Sequence, residues 1–444
     1  YSWGYNGHGQ LGVNNTSSVS YPVKMQKVSN IIQIAAGDNN LVMLDADGSV
    51  WTVGNNGYGQ SGIWATSTLV LPTQMLDTNG NILYGVKEIA SGRIHTVILK
   101  ENGEVWTTGY NEFGQLGNGT TTTSATTKIT QVKISAEEFV EDAKHITAGG
   151  YATYISREKT AEGNTQGMYV MGKNGYGQLF TQDATNRSYA TEVETDKDIL
   201  TMALTTNLTN QTGAIVDQDG MVYTVGYNGY GEMGNGTTES LVTPYCISKI
   251  KLEATPSIIN YKQAGDTGEQ ITYYISAGFN LLYNEIEQTD CEFKSLDKDI
   301  ATVDEQGIVT ATGIGTTYIQ VYNETNNTYD AVRVQVNGTQ GKTQAKIVGG
   351  WNHFVALKAN GEVWTWGENA KGQLGLGDNV DKIKPTKTDI YDSTDEEQEI
   401  YAIDIAAGVQ HTLVLKSDGT VWASGDNLPL TPSCRDHGLL SLTL

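Results

Sequence analysis

The glycine-centred stretch YSWGYNGHGQLG occupies residues 1–12, and close relatives of it recur along the whole chain. They are VWTVGNNGYGQSG from Val50, VWTTGYNEFGQLG from Val105, YVMGKNGYGQLF from Tyr169, VYTVGYNGYGEMG from Val222 and VWTWGENAKGQLG from Val363, with a shortened copy, VWASGDN, from Val421. The shared glycine falls at Gly4, Gly54, Gly109, Gly172, Gly226, Gly367 and Gly425, so successive steps are 50, 55, 63, 54, 141 and 58 residues. Five of those six steps fit one unit of roughly 55 residues, and a period of that length specifies a repeat architecture in which each unit buries its apolar face against the next.

A second shared block precedes each copy: IAAGDNNLVMLDADG from Ile34, IASGRIHTVILKENG from Ile89, IVGGWNHFVALKANG from Ile347 and IAAGVQHTLVLKSDG from Ile405, with weaker versions at Ile146 and Thr201. Each reads as a short apolar strand, a glycine turn, an alternating strand such as HTLVL, and a D-G or N-G hairpin turn into the VW strand. A further strand follows near the proline of YPVKM, LPTQM and TPYCI. The 51 glycines and 24 tyrosines, with abundant Thr and Asn, suit a turn-rich β-protein. Four short strands per unit make a propeller blade rather than a sandwich.

These motifs resemble the regulator-of-chromosome-condensation repeat family, whose unit reads AAG..H..L...G.V..WG.N..GQLG. The resemblance covers essentially everything outside one insertion. It implies an all-β propeller of the seven-bladed type, with about six to seven blades in this stretch of chain. Glycines repeated in every copy mark backbone that needs positive φ or close approach between blades.

The 141-residue step exceeds the unit by more than a loop requires. From about Lys249 to Asn337 the glycine motif disappears, and alternating strands such as TTYIQVYN and AVRVQV replace it. Within it, FKSLDKDIATVDEQGIVTATGIGTTYIQV (Phe293 to Val321) resembles the bacterial immunoglobulin-like group 2 family, with Phe293 where that family has Trp. The resemblance implies an inserted immunoglobulin-like β-sandwich. The expected organisation is a first propeller part at 1–248, the inserted domain at 249–338, a second propeller part at 339–428 and a non-repeat tail at 429–444. Two arrangements of the ends stay open. Either the C-terminal strands and the opening stretch share one blade, or the chain is an excerpt of a seven-bladed ring; the overlap of YSWG with VWASG favours the excerpt.

Charge narrows the partners. With 28 Lys and Arg against 50 Asp and Glu the formal net charge is -22, and no basic run is long enough to follow a phosphate backbone. Nucleic acid is therefore not an expected partner, and no apolar stretch approaches the ~20 residues of a membrane span. Three cysteines, Cys246, Cys291 and Cys434, leave the redox compartment open. The absence of a signal peptide at Tyr1 is read as the start of a mature piece or a cut fragment.

No catalytic, cofactor or metal site is expected. His95, His353 and His411 each follow a repeat glycine by three residues, but Asn40 and Ala152 stand at the same place in other copies. The imidazoles are read as structural groups bonding backbone at the blade turn. The acidic run YDSTDEEQE (Tyr391 to Glu399) lacks the alternating ligands and central glycine of a calcium loop. No G-x-S-x-G occurs, and the G-x-G pairs never open a helix. Paired carboxylates across one propeller face remain open as a hydrolytic arrangement, since such pairs need no local signature.

Positions that vary while the frame stays fixed are free to carry specificity. Just after the repeat glycine stand Tyr5, Asn55, Tyr110, Lys173, Tyr227, Glu368 and Asp426; inside the GxGQ turn stand His8, Tyr58, Phe113, Tyr176, Tyr230 and Lys371. Equivalent positions in a propeller form circles round the axis, so these sets could present an aromatic and polar ring to a ligand. The alternative is that the aromatics of the second set pack between blades. Trp351 and Arg93, in the turn after the first glycine of their blocks, complete the candidates. Tyr5 and His8 lie at the open end of the array and weigh less. The expected function is a non-catalytic, extracellular or cell-surface bacterial binding or adhesion module, monomeric, that recognises a protein or glycan. Alternatives are a secreted propeller that inhibits an enzyme, resembling β-lactamase inhibitor proteins of this repeat class, and a carbohydrate-active enzyme. The acidic chain and the bacterial-type insertion argue against guanine nucleotide exchange, and the single GGWNHF argues against photoreception.

Overall fold

The computed structural model describes residues 1–157, 167–195, 198–207, 209–217 and 221–251, parts of 272–336, residues 343 and 345–388, then 401–426 and 440–442. Six four-stranded antiparallel meanders are formed, each in simple sequential order. Blade A comprises Ile31–Ala36, Asn40–Asp45, Val50–Gly54 and Leu69–Gln74. Blade B comprises Val86–Ser91, His95–Lys100, Val105–Asn111 and Thr122–Gln131. Blade C runs through Ala143–Gly149, Ala152–Arg157, Gly167–Gly172 and Arg187–Glu194. Blade D follows with Ile199–Leu204, Thr212–Asp217, Met221–Gly226 and Leu241–Lys251. Blade E is Lys346–Gly349, His353–Leu357, Val363–Gly367 and Lys382–Lys387. Blade F is Ala402–Ala407, His411–Lys416, Val421–Gly425 and Leu440–Leu442.

The opening motif supplies a two-stranded sheet, Ser2–Gly4 with Val19–Val23, which holds the third and fourth strand positions of a blade. One expectation about the ends changes, and one of the two open arrangements is removed. The stretch 429–444 is not wholly outside the repeat, because Leu440–Leu442 pairs with Val421–Gly425 as the outer strand of blade F. A blade shared between the ends is therefore not what forms: blade F has its own fourth strand, and the opening sheet stands apart from it. The acidic run 391–399 and Cys434 lie outside the described residues.

The core sits between blades, not inside one. The apolar sides of the alternating strands meet those of the next sheet, as in the cluster of Val97, Leu99 and Val105 with Ile146, Ile155 and Met171 between blades B and C. Equivalent clusters join A to B, C to D, D to E and E to F, and Met25 with Met43 and Val53 joins the opening sheet to blade A. Each fully buried Val, Leu or Ile contributes about 1.5–3 kcal/mol, so the ring is held by a chain of interfaces.

The repeat glycine has a steric cause. At Gly109 φ is +115°, and a Cβ there would lie 2.8 Å from the Cα of His95 and 2.6 Å from the Ile94 carbonyl oxygen. Only glycine permits both the dihedral and that approach of the third strand to the second.

A meander places two kinds of connection on opposite sides. The first-to-second strand turns and the long third-to-fourth strand loops share one face, here the loop face. The second-to-third hairpins and the links to the next blade share the other, the turn face. Between blades D and E the chain forms two small three-stranded antiparallel sheets. One is Thr272–Tyr274, Ile308–Ala311 and Ala301–Val303; the other is Cys291–Ser295, Gly315–Asn323 and Thr328–Val336.

Candidate functional site

The loop face is built by an asparagine that the sequence comparison passed over. In every full copy the residue two after the shared glycine is Asn: Asn6, Asn56, Asn111, Asn174, Asn228 and Asn369, all with no exposed surface. Asn111 accepts the N–H of Leu116 at 3.0 Å through Oδ1 and donates from Nδ2 to the Thr120 carbonyl at 2.9 Å. Asn228 does the same with Met233 and Thr237. The buried amide thus replaces regular structure inside the loop and fixes its path. The Gln of the GxGQ turn adds a second clamp, its Oε1 accepting the N–H two residues earlier, as Gln60 does for Tyr58 and Gln115 for Phe113, each at 3.0 Å.

A belt of backbone hydrogen bonds ties the first turns of successive blades together at the same face. Asp38 N–H donates to the Arg93 carbonyl and Arg93 N–H to that of Gly150; Trp351 N–H donates to that of Val409. Arg93 and Trp351 are therefore links in this belt. The Arg93 guanidinium also lies 3.1 Å from the Asp38 carboxylate.

The two variable sets meet each other across blade boundaries. The GxGQ residue of one sheet touches the post-glycine residue of the next. His8 lies 3.5 Å from Asn55, Tyr58 is edge-on to Tyr110 at 4.8 Å, Lys173 stands over Phe113 at 5.3 Å, Tyr176 is edge-on to Tyr227 at 5.1 Å, and Lys371 is 3.4 Å from Asp426. Aromatic, cation–π, amide and ionic pairs thus occupy one structural slot. The reading in which these side chains pack between blades has a geometric basis, yet the rings are not buried: Tyr58, Tyr176 and Tyr230 keep about 40% of their surface, at 40%, 36% and 37%. Glu368 turns instead toward its own blade, accepting from Asn352 Nδ2 at 3.0 Å.

The densest part spans blades A to C. Tyr151 lies tilted against Tyr110 at 5.7 Å and against Phe113 at 5.1 Å, joining Tyr58, Tyr110, Phe113 and Lys173 into one cluster. The Tyr110 hydroxyl donates to Glu112. Burial, then the Glu112 hydrogen bond, raise the Tyr110 pKa above its ordinary value; burial also raises that of Tyr151 and lowers that of Lys173. Raised phenol values keep Tyr110 and Tyr151 uncharged at neutral pH, so the cluster offers ring faces and edges beside the Lys173 amino group, the Arg93 guanidinium that acts on Tyr151, and the Glu112 carboxyl group. Tyr151 was missed by sequence reasoning although it follows Gly150 as Arg93 follows Gly92 and Trp351 follows Gly350.

Two of the three repeat histidines, His95 and His353, pack as structural groups, though not by the expected contact, whereas His411 is exposed. His95 Nε2 lies 3.0 Å from the Thr153 hydroxyl of blade C, and His353 Nε2 lies 3.1 Å from that of Thr412 in blade F. Thr153 gives its own proton to the Gln115 carbonyl, so it accepts from His95 Nε2–H. The partner is the next blade's side chain, not backbone. Among the described residues no group of three or more His, Cys, Asp or Glu is placed to hold a metal ion.

The fold and this face define a repeat propeller whose variable positions are carried on a rigid, amide-clamped frame. The regulator of chromosome condensation (RCC1) repeat model matches residues 1–44, 47–99, 102–155 and 360–415, and a second model of that repeat matches 31–60, 86–115 and 345–373. The chain is a propeller built of RCC1-type repeats. It is 26% identical over 434 residues to the ultraviolet-B receptor UVR8 of Arabidopsis thaliana, covering 95% of this chain and 83% of that protein. It is 25% identical over 381 residues to the human E3 ubiquitin-protein ligase HERC2, covering 85% of this chain but only 7% of the ligase. The regulator of chromosome condensation of Xenopus laevis is 27% identical over 283 residues, 60% of this chain and 65% of that protein. Among solved structures, human WBSCR16 aligns with a TM-score of 0.49 at 18% identity over 93% of this chain and 98% of that one.

Proposed function

We propose that the chain is a non-catalytic binding module whose loop face, centred on Tyr58, Tyr110, Phe113, Tyr151 and Lys173, docks a protein ligand. The observation that carries the reading is the joined cluster itself: rings held at 4.8–5.7 Å on a clamped loop, partly exposed and flanked by Lys173 and Glu112. Tyrosine on rigid backbone supplies contact area at small entropic cost, which is what interface centres use. The relatives named above carry unrelated overall roles, which a shared propeller frame serving recognition accommodates better than shared chemistry.

In this reading the ring is of the seven-bladed type, 249–338 is an immunoglobulin-like sandwich of the bacterial group, and the protein works outside a bacterial cell as a monomer. Support for the location is the net charge of -22 and the ATVDEQGIVTA pattern. The test is a pull-down of surface proteins alongside a glycan array, using the purified chain and its Tyr110→Ala/Tyr151→Ala variant. The expected result is a protein ligand whose affinity drops more than about tenfold in the variant, as loss of central hot-spot rings entails. Unchanged binding removes the cluster, and binding to glycans alone replaces the protein ligand.

A further inference from the structure

The inserted sheets do more than interrupt the repeat. They leave blade D after its fourth strand and return to the first strand of blade E, so they start on the turn face. Their contacts with the propeller lie far from that root. In the three-stranded sheet centred on Gly315–Asn323, Ser295, Thr317 and Ile319 are buried and alternate with Lys294, Tyr318 and Gln320 on the other side. In register, Lys294 faces Gln320 across the strands, and Leu296 N–H donates to the Tyr318 carbonyl at 3.0 Å.

That outer side meets blades A and B. Lys294 Nζ is 2.5 Å from Glu101 Oε2, in the second-to-third hairpin of blade B. The Gln320 amide donates to the carbonyl of Ala46, in the corresponding hairpin of blade A. Leu296 and Tyr318 pack on the cluster that contains Ala46, Leu83 and Val86 and joins the two blades. Apolar contact, ion pair and hydrogen bond come from one sheet face and fall on one patch of the propeller.

The root at the D–E boundary and the patch at the A–B boundary are three blade interfaces apart. A link between points so separated on a ring follows a chord, not the rim, and the chord passes over the central channel. We propose that the inserted module is a strap that ties opposite arcs of the propeller together across the turn-face mouth. It braces the ring where nearest-neighbour packing alone would let the arcs spread, and it leaves the loop face as the open side. Part of the bracing is apolar contact through Tyr318 and Leu296, and the Lys294–Glu101 pair fixes its register.

Zero-length carbodiimide coupling of the full chain, read by peptide mass spectrometry, tests the contact without any partner. The expected product joins Lys294 to Glu101 and is lost in Lys294→Gln. Hydrogen exchange tests the bracing: Lys294→Glu is expected to speed exchange about tenfold at residues 46–48 and 101–103, and Lys294→Glu/Glu101→Lys to restore it. Both side chains are substantially solvent-accessible, so these changes leave folding intact. Absence of the link, or exchange unchanged in Lys294→Glu, overturns the strap. Neither readout depends on what the loop face binds.

Discussion

Tyr58 of blade A meets Tyr110 of blade B edge to face, with ring centroids 4.8 Å apart and planes at 71°. The same slot between blades E and F is filled by Lys371 and Asp426 as an ion pair. The two variable columns of the repeat are therefore not independent: in five slots the residue is matched to a partner one unit further on, the slot of Tyr230 and Glu368 being the exception. Matching across blades lets an interface change its chemistry while the frame of glycine, asparagine and glutamine stays fixed.

A double-mutant cycle on Tyr58→Ala and Tyr110→Ala is expected to give a coupling of about 0.5–1.5 kcal/mol, the range for paired rings. Pairing Tyr58→Ala with Tyr227→Ala, from a different interface, is expected to be additive. Urea unfolding of the six proteins involved measures both; additivity in the first cycle removes the pairing argument.

Asn111 is expected to be the costliest single polar deletion on the loop face. Asn111→Ala strands the buried Leu116 N–H and frees the Thr120 carbonyl at the exposed edge of the loop, which costs about 1–3 kcal/mol for the one orphaned buried group. Asn111→Asp keeps the acceptor and loses the donor, so it is expected to fall between the two. Thermal or chemical unfolding of the three proteins gives the order, and an Asn111→Ala protein as stable as the parent contradicts the clamp.

Much of this was legible in sequence because the period and the glycines are imposed by local geometry. Gly109 is readable as special without knowing its neighbours, and the strands of blades A, B and E fall where the VW and HTVIL patterns put them. What was not legible depends on offsets between units. Aligned copies stack Tyr58 under Phe113, whereas the fold places Tyr58 against Tyr110 of the next blade. The same offset gives His95 a threonine partner in blade C. Leu440–Leu442 escaped because it lacks the proline that marks the outer strands of blades A, D and E. Tyr151 was readable from its column and was overlooked beside Arg93 and Trp351.

Buried His95 and His353 make stability sensitive to mild acid. Burial pushes both pKa values down to about 3 from 6.5. The unfolded chain takes up protons below 6.5 while the folded chain does not, so their contribution is complete above pH 6.5 and is lost as pH falls toward 3. His95→Gln/His353→Gln is expected to flatten the dependence between pH 6.5 and 5, above the range where carboxylates such as Glu362, held at about 2, begin to matter. Denaturant midpoints at half-unit pH steps show this, and an undiminished slope in the variant assigns it elsewhere.

Glu232 works in the opposite direction and marks one interface as unlike the rest. Its place is held by Gln in the other copies: Gln10, Gln60, Gln115, Gln178 and Gln373. The side chain is fully buried between blades D and E, with Oε2 accepting the Tyr230 N–H at 2.8 Å and Oε1 lacking a partner. Burial, with the charges of Glu368 and Asp381 nearby, raises its pKa to about 8 from 4.5. A folded value above the unfolded one means that this group's contribution is complete below pH 4.5 and is lost as pH rises through 8. Glu232→Gln is expected to match the parent below pH 4.5 and to exceed it progressively between pH 4.5 and 8, because the amide never ionises. Unfolding midpoints of both proteins across that range decide it. A constant difference between them means that Glu232 ionises alike in the folded and unfolded protein, and the D–E interface is then no more pH-sensitive than its neighbours.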